Sequence, residues 1–217
     1  MQFGINTFLW ASPFTTKDLP LLDKAKDMGF DLVEIPIEGM EDIDYAKAAE
    51  AYKRTGLVCT TCAVMGASRD PTHEDKSIQQ GGVDYLEHCI DATVQMGGTV
   101  IGGPIYAAVG RTWQSTDEQR KRELERCARN LKQVGTYAED KGVVLGIEPL
   151  NRFETSFINL AKQAVELVEL VDSPAIKIML DTFHMNVEEK HFGQAIELAE
   201  PHPVSYTHLT LPTTPYV

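Results

Sequence analysis

The sequence predicts an α/β fold in which helices cover a parallel sheet. Six short apolar segments alternate with six helical segments along the chain, and this alternation is typical of repeated βα units. The clearest apolar segments are hydrophobic on both faces, which indicates strands that are buried on both sides. Two of them end directly in a carboxylate, at Glu148 and at Asp181. The pattern alone fits either a closed (β/α)8 barrel or an open, doubly wound sheet.

Each predicted strand is a short apolar run bounded by glycine, proline or polar residues. The fifth run leads straight into Glu148, and Pro149 then prevents its continuation as a central strand. In chain order the predicted strands are Phe3–Thr7, Leu32–Pro36, Val58–Val64, Thr99–Pro104, Val143–Ile147 and Ile176–Asp181.

The predicted helices combine apolar residues at helical spacing with residues suited to helix ends. Gly29, Gly56 and Gly142 each follow a helix at the position where glycine commonly ends one. Asn159 is expected to cap the fifth helix, whereas Gly81-Gly82 weakens the helical pattern near the start of the third. In chain order the predicted helices are Thr16–Met28, Tyr45–Thr55, Asp75–Met96, Asp117–Lys141, Leu160–Val171 and Phe192–Leu198.

The composition is that of a globular protein with an acidic surface. Of the 217 residues, 43% are hydrophobic, and 20 basic residues against 32 acidic ones give a formal charge of -12. Such a charge repels phosphate backbones and anionic membranes, so we expect neither nucleic acid nor a membrane as a partner. No apolar stretch approaches the roughly 20 residues of a membrane span, and no signal peptide is visible. These features predict a cytoplasmic protein.

The four cysteines predict neither a metal site nor a redox site. Cys59 and Cys62 form a C-x-x-C pair, but a zinc ribbon needs a second pair at suitable spacing, which the sequence does not offer. On the third predicted strand their side chains would point to opposite faces. We interpret all four cysteines as small buried apolar residues in a reducing compartment.

The carboxylates at the ends of two predicted strands form the candidate site. In a parallel barrel the carboxyl ends of the strands define the face that carries the chemistry. An acid at a strand end is also commonly a helix N-cap or part of a surface salt bridge. Glu148 and Asp181, however, occupy matching positions, and polar residues that include Glu154 and His184 follow them. This clustering of titratable groups favours a functional site.

The last segment of the chain departs from the βα pattern. Residues 201–217 contain no acidic residue, no Lys or Arg and no Gly, and they are rich in Pro and Thr. Residues 204–214 resemble translated adapter sequence from a draft gene. We therefore predict one domain, an incomplete barrel over residues 1–200, followed by an aberrant tail over residues 201–217. A barrel of this type typically needs about 250 residues and eight units.

Two segments resemble the motifs of a known enzyme family. Gly146–Glu154 and Leu180–Asn186 closely resemble motifs of the ketose 3-epimerases, the D-tagatose and D-psicose (allulose) 3-epimerase group. That group belongs to the xylose isomerase-like (β/α)8 barrels, so the resemblance implies a TIM barrel here. It covers about residues 1–200. The weaker matches are at residues 29–35, 64–66, 69–70, 102–104 and 110–113.

The resemblance implies an isomerase that epimerises a ketose at C3 through an enediolate, with two carboxylates as acid and base. It also implies one divalent metal ion, Mn²⁺, Mg²⁺ or Co²⁺, held by Glu, Asp, His and Glu from four strands. Glu148 and Asp181 match the first two ligands, and Glu148 matches one catalytic carboxylate. Glu154 and His184 match residues that bind the sugar, and Trp113 is expected to wall the pocket. The full-length parent is expected to form a homo-oligomer.

The remaining family residues have no clear counterpart in this chain. The family places its metal-binding His and its second Glu on the seventh and eighth strands, with a substrate-binding Arg after the seventh. His208 falls near the spacing expected for the His, but we interpret this as a coincidence within the tail. We therefore expect the 217-residue chain to be inactive and to leave the first and sixth strands as exposed edges.

Two other interpretations stay open at this stage. The first is a metal-dependent nuclease similar to endonuclease IV, which shares the barrel but needs a three-metal His set that this sequence does not show. The second is a barrel fragment that folds in part and catalyses nothing.

Overall fold

The structure is a computed structural model that describes residues 2–207, of which only the backbone is described for residues 203–207. Strands and helices alternate along the chain as the sequence predicted. The strands are β1 Gly4–Asn6, β2 Leu32–Pro36, β3 Val58–Cys62, β4 Val100–Gly103, β5 Val144–Ile147, β6 Ile176–Asp181 and β7 Pro203–Thr207. The helices are α1 Leu21–Asp27, α2 Tyr45–Thr55, α3 Lys76–Gln95, α4 Asp117–Lys141, α5 Ala161–Val171, α6 Thr182–Glu188 and α7 Phe192–Ala199.

The seven strands form one parallel sheet in the order β1 to β7, so that each strand pairs with its neighbours in sequence. A doubly wound sheet would reverse its strand order at a switch point, and this sheet does not. The sheet curls into part of a (β/α)8 barrel, as predicted. Because every strand runs the same way, all carboxyl ends meet at one face.

Side chains alternate between the helix layer and the inside of the curled sheet. Val33 and Ile35 on β2 are fully buried against the helices, while Glu34 between them points to the opposite face. On β6, Asp181 lies on the same face as Met179, two residues earlier. Met179 fills the interior where glycine leaves room, since a Cβ at Gly102 would lie 2.5 Å from its sulfur.

The helix ends explain why several boundaries were predicted correctly. Asp44 caps α2 by accepting a hydrogen bond from the Lys47 amide at 3.1 Å, and Gly56 ends the helix with a φ of +67°. Thr116 forms a capping box at the start of α4, and Gly142 ends it with a φ of +69°. Glycine is favoured at both ends because a side chain is strained in this left-handed region.

Other boundaries were wrong for identifiable reasons. The predicted helix Thr16–Met28 is a short 3-10 turn followed by α1. Asn159 does not cap α5, because its side chain donates to the carbonyl oxygens of Leu150 and Thr155. The Gln163 side chain instead accepts from the amides of Asn159 and Leu160, just before the helix. Helix α6, directly after Asp181, was not predicted at all.

The predicted tail contributes a strand. The first residues of segment 201–217 form β7, which pairs with β6 after a register irregularity at Ile178/Met179. Within the described residues the sheet edges are therefore β1 and β7, rather than β1 and β6. Whether residues 201–217 belong to the natural fold stays a prediction, and His208 lies outside the described residues. In the described part of the chain, no helix has the length and apolar character that crossing a membrane requires.

Open strand edges predict self-association of the chain. Among the described residues, β1 and β7 each pair with a strand on one side only, and the N–H and C=O groups on the other side can pair with the edge of another molecule. We expect the 217-residue protein to elute as oligomers whose mass rises with concentration when size exclusion is coupled to light scattering. A monodisperse monomer with a cooperative thermal transition would contradict this expectation.

Candidate active site

The two predicted strand-end acids lie side by side at the carboxyl face of the sheet. Glu148 directly follows β5, and Asp181 is the last residue of β6, the neighbouring strand. One ligand atom from each of Glu148, Asp181 and His184 lies within 4.8 Å of the others, and all three residues are buried. The structure therefore brings together three of the five predicted site residues in one compact cluster.

Glu148 is electrostatically strained in this position. Burial raises the pKa of its carboxyl well above the usual value, and the nearby acids Asp181, Glu34 and Glu154 raise it further. A carboxylate with few compensating charges favours its protonated form in a low-dielectric environment. Such a perturbed carboxyl group at a strand end is typical of acid/base residues in catalytic sites.

His184 is held in a defined tautomer by Asn151. The Asn151 backbone N–H donates to His184 Nδ1 at 3.1 Å, and the Asn151 side-chain amide lies 2.9 Å from the same nitrogen. Because Nδ1 accepts, the proton of the neutral ring is on Nε2, which faces Glu148 Oε1 at 3.9 Å. Burial lowers the pKa of His184, which favours this neutral form.

This tautomer decides what His184 can do. To bind a metal ion, Nε2 would have to lose its proton. Because Nδ1 accepts a hydrogen bond and carries no proton either, the ring would become an imidazolate. His184 is therefore suited to donate a hydrogen bond from Nε2 to an oxygen of a substrate. The geometry favours the role that the resemblance implies for it over that of a third metal ligand.

The loops after β5 and β6 hold each other in place. Glu154 Oε1 accepts from the Asn151 side chain at 2.7 Å and lies 3.9 Å from His184 Nδ1. Arg152 forms a bidentate pair with Glu188 on α6, with both N–O distances at 2.9 Å. The two predicted sugar-binding residues thus belong to one hydrogen-bonded group.

Trp113 lies in the loop after β4 and is 58% exposed. Its ring is 5.1 Å from the guanidinium of Arg111, and its carbonyl accepts from Ser156 at 2.6 Å in the loop after β5. The loop is thus joined to the segment that contains Glu154. The predicted role of Trp113 as a pocket wall stays a prediction.

Sequence reasoning missed Glu34 as part of this environment. Glu34 on β2 accepts a hydrogen bond from Asn6 on β1 at 2.6 Å. Burial raises the pKa of Glu34 to about 7, the Asn6 hydrogen bond opposes the rise, and the charge of Asp181 adds to it. The signal in the sequence was an acid between two apolar strand residues, Val33 and Ile35.

The donor set fits a divalent metal ion. Glu148 and Asp181 offer carboxylate oxygens, which hard cations prefer. Adjacent buried acids repel each other, and a bound cation would offset that repulsion. Asp181 also accepts from the Phe183 amide at 2.7 Å, which fixes one of its oxygens at the start of α6. Glu148 and Asp181 are thus the residues of this cluster best suited to hold the ion.

Comparison with known proteins defines the class. The family described as xylose isomerase-like TIM barrel matches residues 22–210. The chain therefore belongs to the xylose isomerase-like TIM barrel family.

Relatives narrow this assignment. A probable ketose 3-epimerase of Synechocystis is 31% identical over 93% of this chain and 70% of its own length. D-psicose 3-epimerase of Agrobacterium fabrum is 29% identical over 93% and 70%. A solved structure of L-ribulose 3-epimerase is 30% identical, with a TM-score of 0.88 over 95% of this chain and 69% of that one. Within its family, the chain belongs to the ketose 3-epimerase group, whose members are isomerases that act on carbohydrates.

Thermal stability tests metal binding by these acids. At pH 7.5, Mn²⁺ at about 100 times its Kd should stabilise the folded chain by about 2.7 kcal/mol. For a protein of this size the Tm should rise by on the order of 5–10 °C. Asp181→Asn should remove most of the rise, because asparagine keeps the cap to Phe183 but loses the charge. Calorimetry with Mn²⁺ or with EDTA measures both proteins.

The matched control for this experiment is Glu189→Gln. Glu189 lies in the same segment, and its side-chain oxygen accepts from the Ala161 amide at 2.7 Å, a bond that glutamine preserves. Its Mn²⁺ response should equal that of the unaltered protein. An undiminished response in the Asp181→Asn protein would exclude Asp181 as a ligand.

The raised pKa of Glu34 predicts a pH-dependent stability in EDTA. An acid whose pKa is raised by folding binds its proton more tightly in the folded state, so stability falls as pH rises from about 4.5 to about 7. The full loss for Glu34 is about 3 kcal/mol. Glu34→Gln keeps the acceptor for Asn6 and should lessen the fall in urea-derived stability between pH 5 and 8, although Glu148, whose pKa is also raised, still contributes to it. Unchanged pH dependence in this variant would contradict the assignment.

Proposed function

We propose that this chain serves the epimerisation of a small ketose at C3, with Glu148 as an acid/base carboxylate. The observation that carries the proposal is the buried cluster of Glu148, Asp181 and His184 at the carboxyl face of the sheet. The burial of the Glu148 carboxyl beside Asp181 and His184 supports a role in proton transfer, because clustered buried titratable groups are typical of catalytic sites. The names of the relatives, which include D-psicose and L-ribulose 3-epimerases, support a ketose as the substrate class.

In this proposal Glu148 and Asp181 hold a divalent ion, Mn²⁺, Mg²⁺ or Co²⁺. When bound, such an ion polarises a carbonyl and stabilises the negative charge that develops on its oxygen. Glu148 removes the proton from C3, while His184 Nε2–H and Glu154 bind sugar hydroxyl groups. Trp113 shields one side of the pocket. The Asn151 bonds keep His184 in the donor tautomer throughout.

Epimerisation also needs a proton donor on the opposite face of C3. The resemblance assigns this role to a Glu on an eighth strand, and residues 201–217 contain no acidic residue. We therefore propose that the 217-residue chain alone does not complete the reaction. A fusion of residues 1–200 to the C-terminal part of the Agrobacterium relative would supply the second carboxylate.

Proton exchange at C3 tests this proposal. D-fructose or D-tagatose is incubated with Mn²⁺ in D₂O, and deuterium at C3 is read by NMR. The fusion should exchange. Glu148→Gln should reduce its rate by more than the roughly 10²–10⁴-fold of an ordinary acid/base loss, because glutamine accepts no proton and binds metal poorly. His184→Ala should lose roughly 10- to 100-fold, the value of one hydrogen bond to the substrate.

The 217-residue chain and the Agrobacterium enzyme are the controls. Formation of the C3 epimer by the 217-residue chain would show that a second proton donor is already present in it, because exchange without inversion needs only one carboxylate. Exchange retained by the Glu148→Gln fusion would remove Glu148 from the mechanism. Tight binding of the chain to duplex DNA at low salt, together with an inactive fusion, would favour the nuclease interpretation instead.

A further inference from the structure

We propose that Arg111 is a positioning residue that holds the loops after β3, β4 and β5 together and so places Glu154 and Trp113. This inference rests on the proposed function for the roles of Glu154 and Trp113. The contacts of Arg111 itself stand independently of that function. Arg111 lies in the loop after β4 and is only 2% exposed.

The guanidinium of Arg111 joins three elements at once. Arg111 Nη2 is 2.5 Å from Glu123 Oε2 on α4, and the Glu123 side chain is itself mostly buried. Arg111 Nη1 donates to Thr72 Oγ1 in the loop after β3 at 2.9 Å. The planar group lies 4.9 Å from the ring of Phe157, which follows the β5 loop. An ion pair, a hydrogen bond and a cation–π contact fix its orientation.

The backbone on either side of Arg111 is bonded to the β5 loop. The Gly110 amide donates to the Glu154 carbonyl at 2.8 Å, and the Ser156 amide donates to the Arg111 carbonyl at 2.7 Å. Arg111 and Thr155 therefore form an isolated parallel bridge. The Ser156 hydroxyl adds a third bond, to the carbonyl of Trp113 at 2.6 Å.

This short ladder connects two residues of the proposed sugar site. Glu154 supplies one carbonyl of the ladder and Trp113 another, so both side chains project from it. A ladder of three bonds between surface loops opens readily unless something buried anchors it. Arg111 is that anchor, because its backbone belongs to the ladder and its side chain belongs to the core.

Glu148 and Asp181 are positioned differently, at the ends of β5 and β6. Loss of the Arg111 anchor should therefore loosen the sugar-binding loops and leave the metal-binding acids in place. We expect weaker sugar binding with unchanged Mn²⁺ binding. This division distinguishes a positioning role from a general contribution to folding.

Amide hydrogen exchange on the 217-residue chain tests the anchor directly. In Arg111→Met, exchange at Gly110 and Ser156 should accelerate at least about 10-fold more than exchange at Val144 and Leu145. The latter amides donate to Thr99 and Ala175 within the sheet region and report on global stability. Glu123→Gln should act in the same direction with a smaller effect, and it serves if Arg111→Met does not fold.

Arg69→Met is the matched control. Arg69 lies in the loop after β3, and its guanidinium is 3.8 Å from the centre of the Tyr85 ring. It donates to the Glu38 carbonyl and to none of the ladder residues. Its substitution should leave the Gly110 and Ser156 amides no faster than the sheet amides. Acceleration of all amides to the same extent in Arg111→Met and in Glu123→Gln would overturn the proposal, as would no acceleration.

Binding of D-tagatose, measured by calorimetry in the presence of Mn²⁺, completes the test. Arg111→Lys keeps the charge but cannot bridge Glu123 and Thr72, so its D-tagatose affinity should fall by about 10-fold with an unchanged Mn²⁺ Kd. Equal D-tagatose affinity in Arg111→Lys and the unaltered chain would contradict the positioning role. If the unaltered chain binds Mn²⁺ but no ketose, the C3 assay on the fusion decides the proposed function, and the amide-exchange data alone decide the role of Arg111.

Discussion

The burial of Glu148 beside Asp181 is the constraint on which the rest of the site depends. Two neighbouring parallel strands end at the same face, so an acid at each end is forced close to the other. Burial then makes it costly to ionise both. A cation held by the two carboxylates would offset this cost.

Asn151 joins the loop after β5 to the segment after β6 through hydrogen bonds. Its backbone and side chain both bond His184, and its side chain also bonds Glu154. Because Asn151 donates to Nδ1, the ring proton of His184 is on Nε2, which faces Glu148. This protonated nitrogen cannot serve as a metal ligand. A single residue in the loop after β5 therefore sets the chemistry of a residue in the segment after β6.

The sequence predicted the secondary structure correctly where local signals agree with the fold. Strands β2 and β6 and helices α2 and α4 were predicted with their observed bounds, because their burial patterns and caps are local. Helix α6 was missed because it is short and follows β6 directly, so that Asp181 is both the last residue of the strand and the N-cap of the helix. The strand-end acids were predictable from topology. The tautomer of His184, the pKa of Glu34 and the anchor at Arg111 depend on residues distant in sequence, which no local pattern reveals.

Stereochemistry relates this sector of the barrel to the reaction. Inverting a carbon centre requires proton removal on one face and proton return on the other. Glu148 is fixed at the end of β5, with its backbone amide bonded to Gly103 on β4, so it reaches a bound sugar from one side only. In the proposed reaction, the loops after β4, β5 and β6 would hold that sugar with its C3 hydrogen toward Glu148. A rigid wall with one carboxylate is therefore suited to exchange on one face, and inversion needs an acid on the facing wall of the barrel.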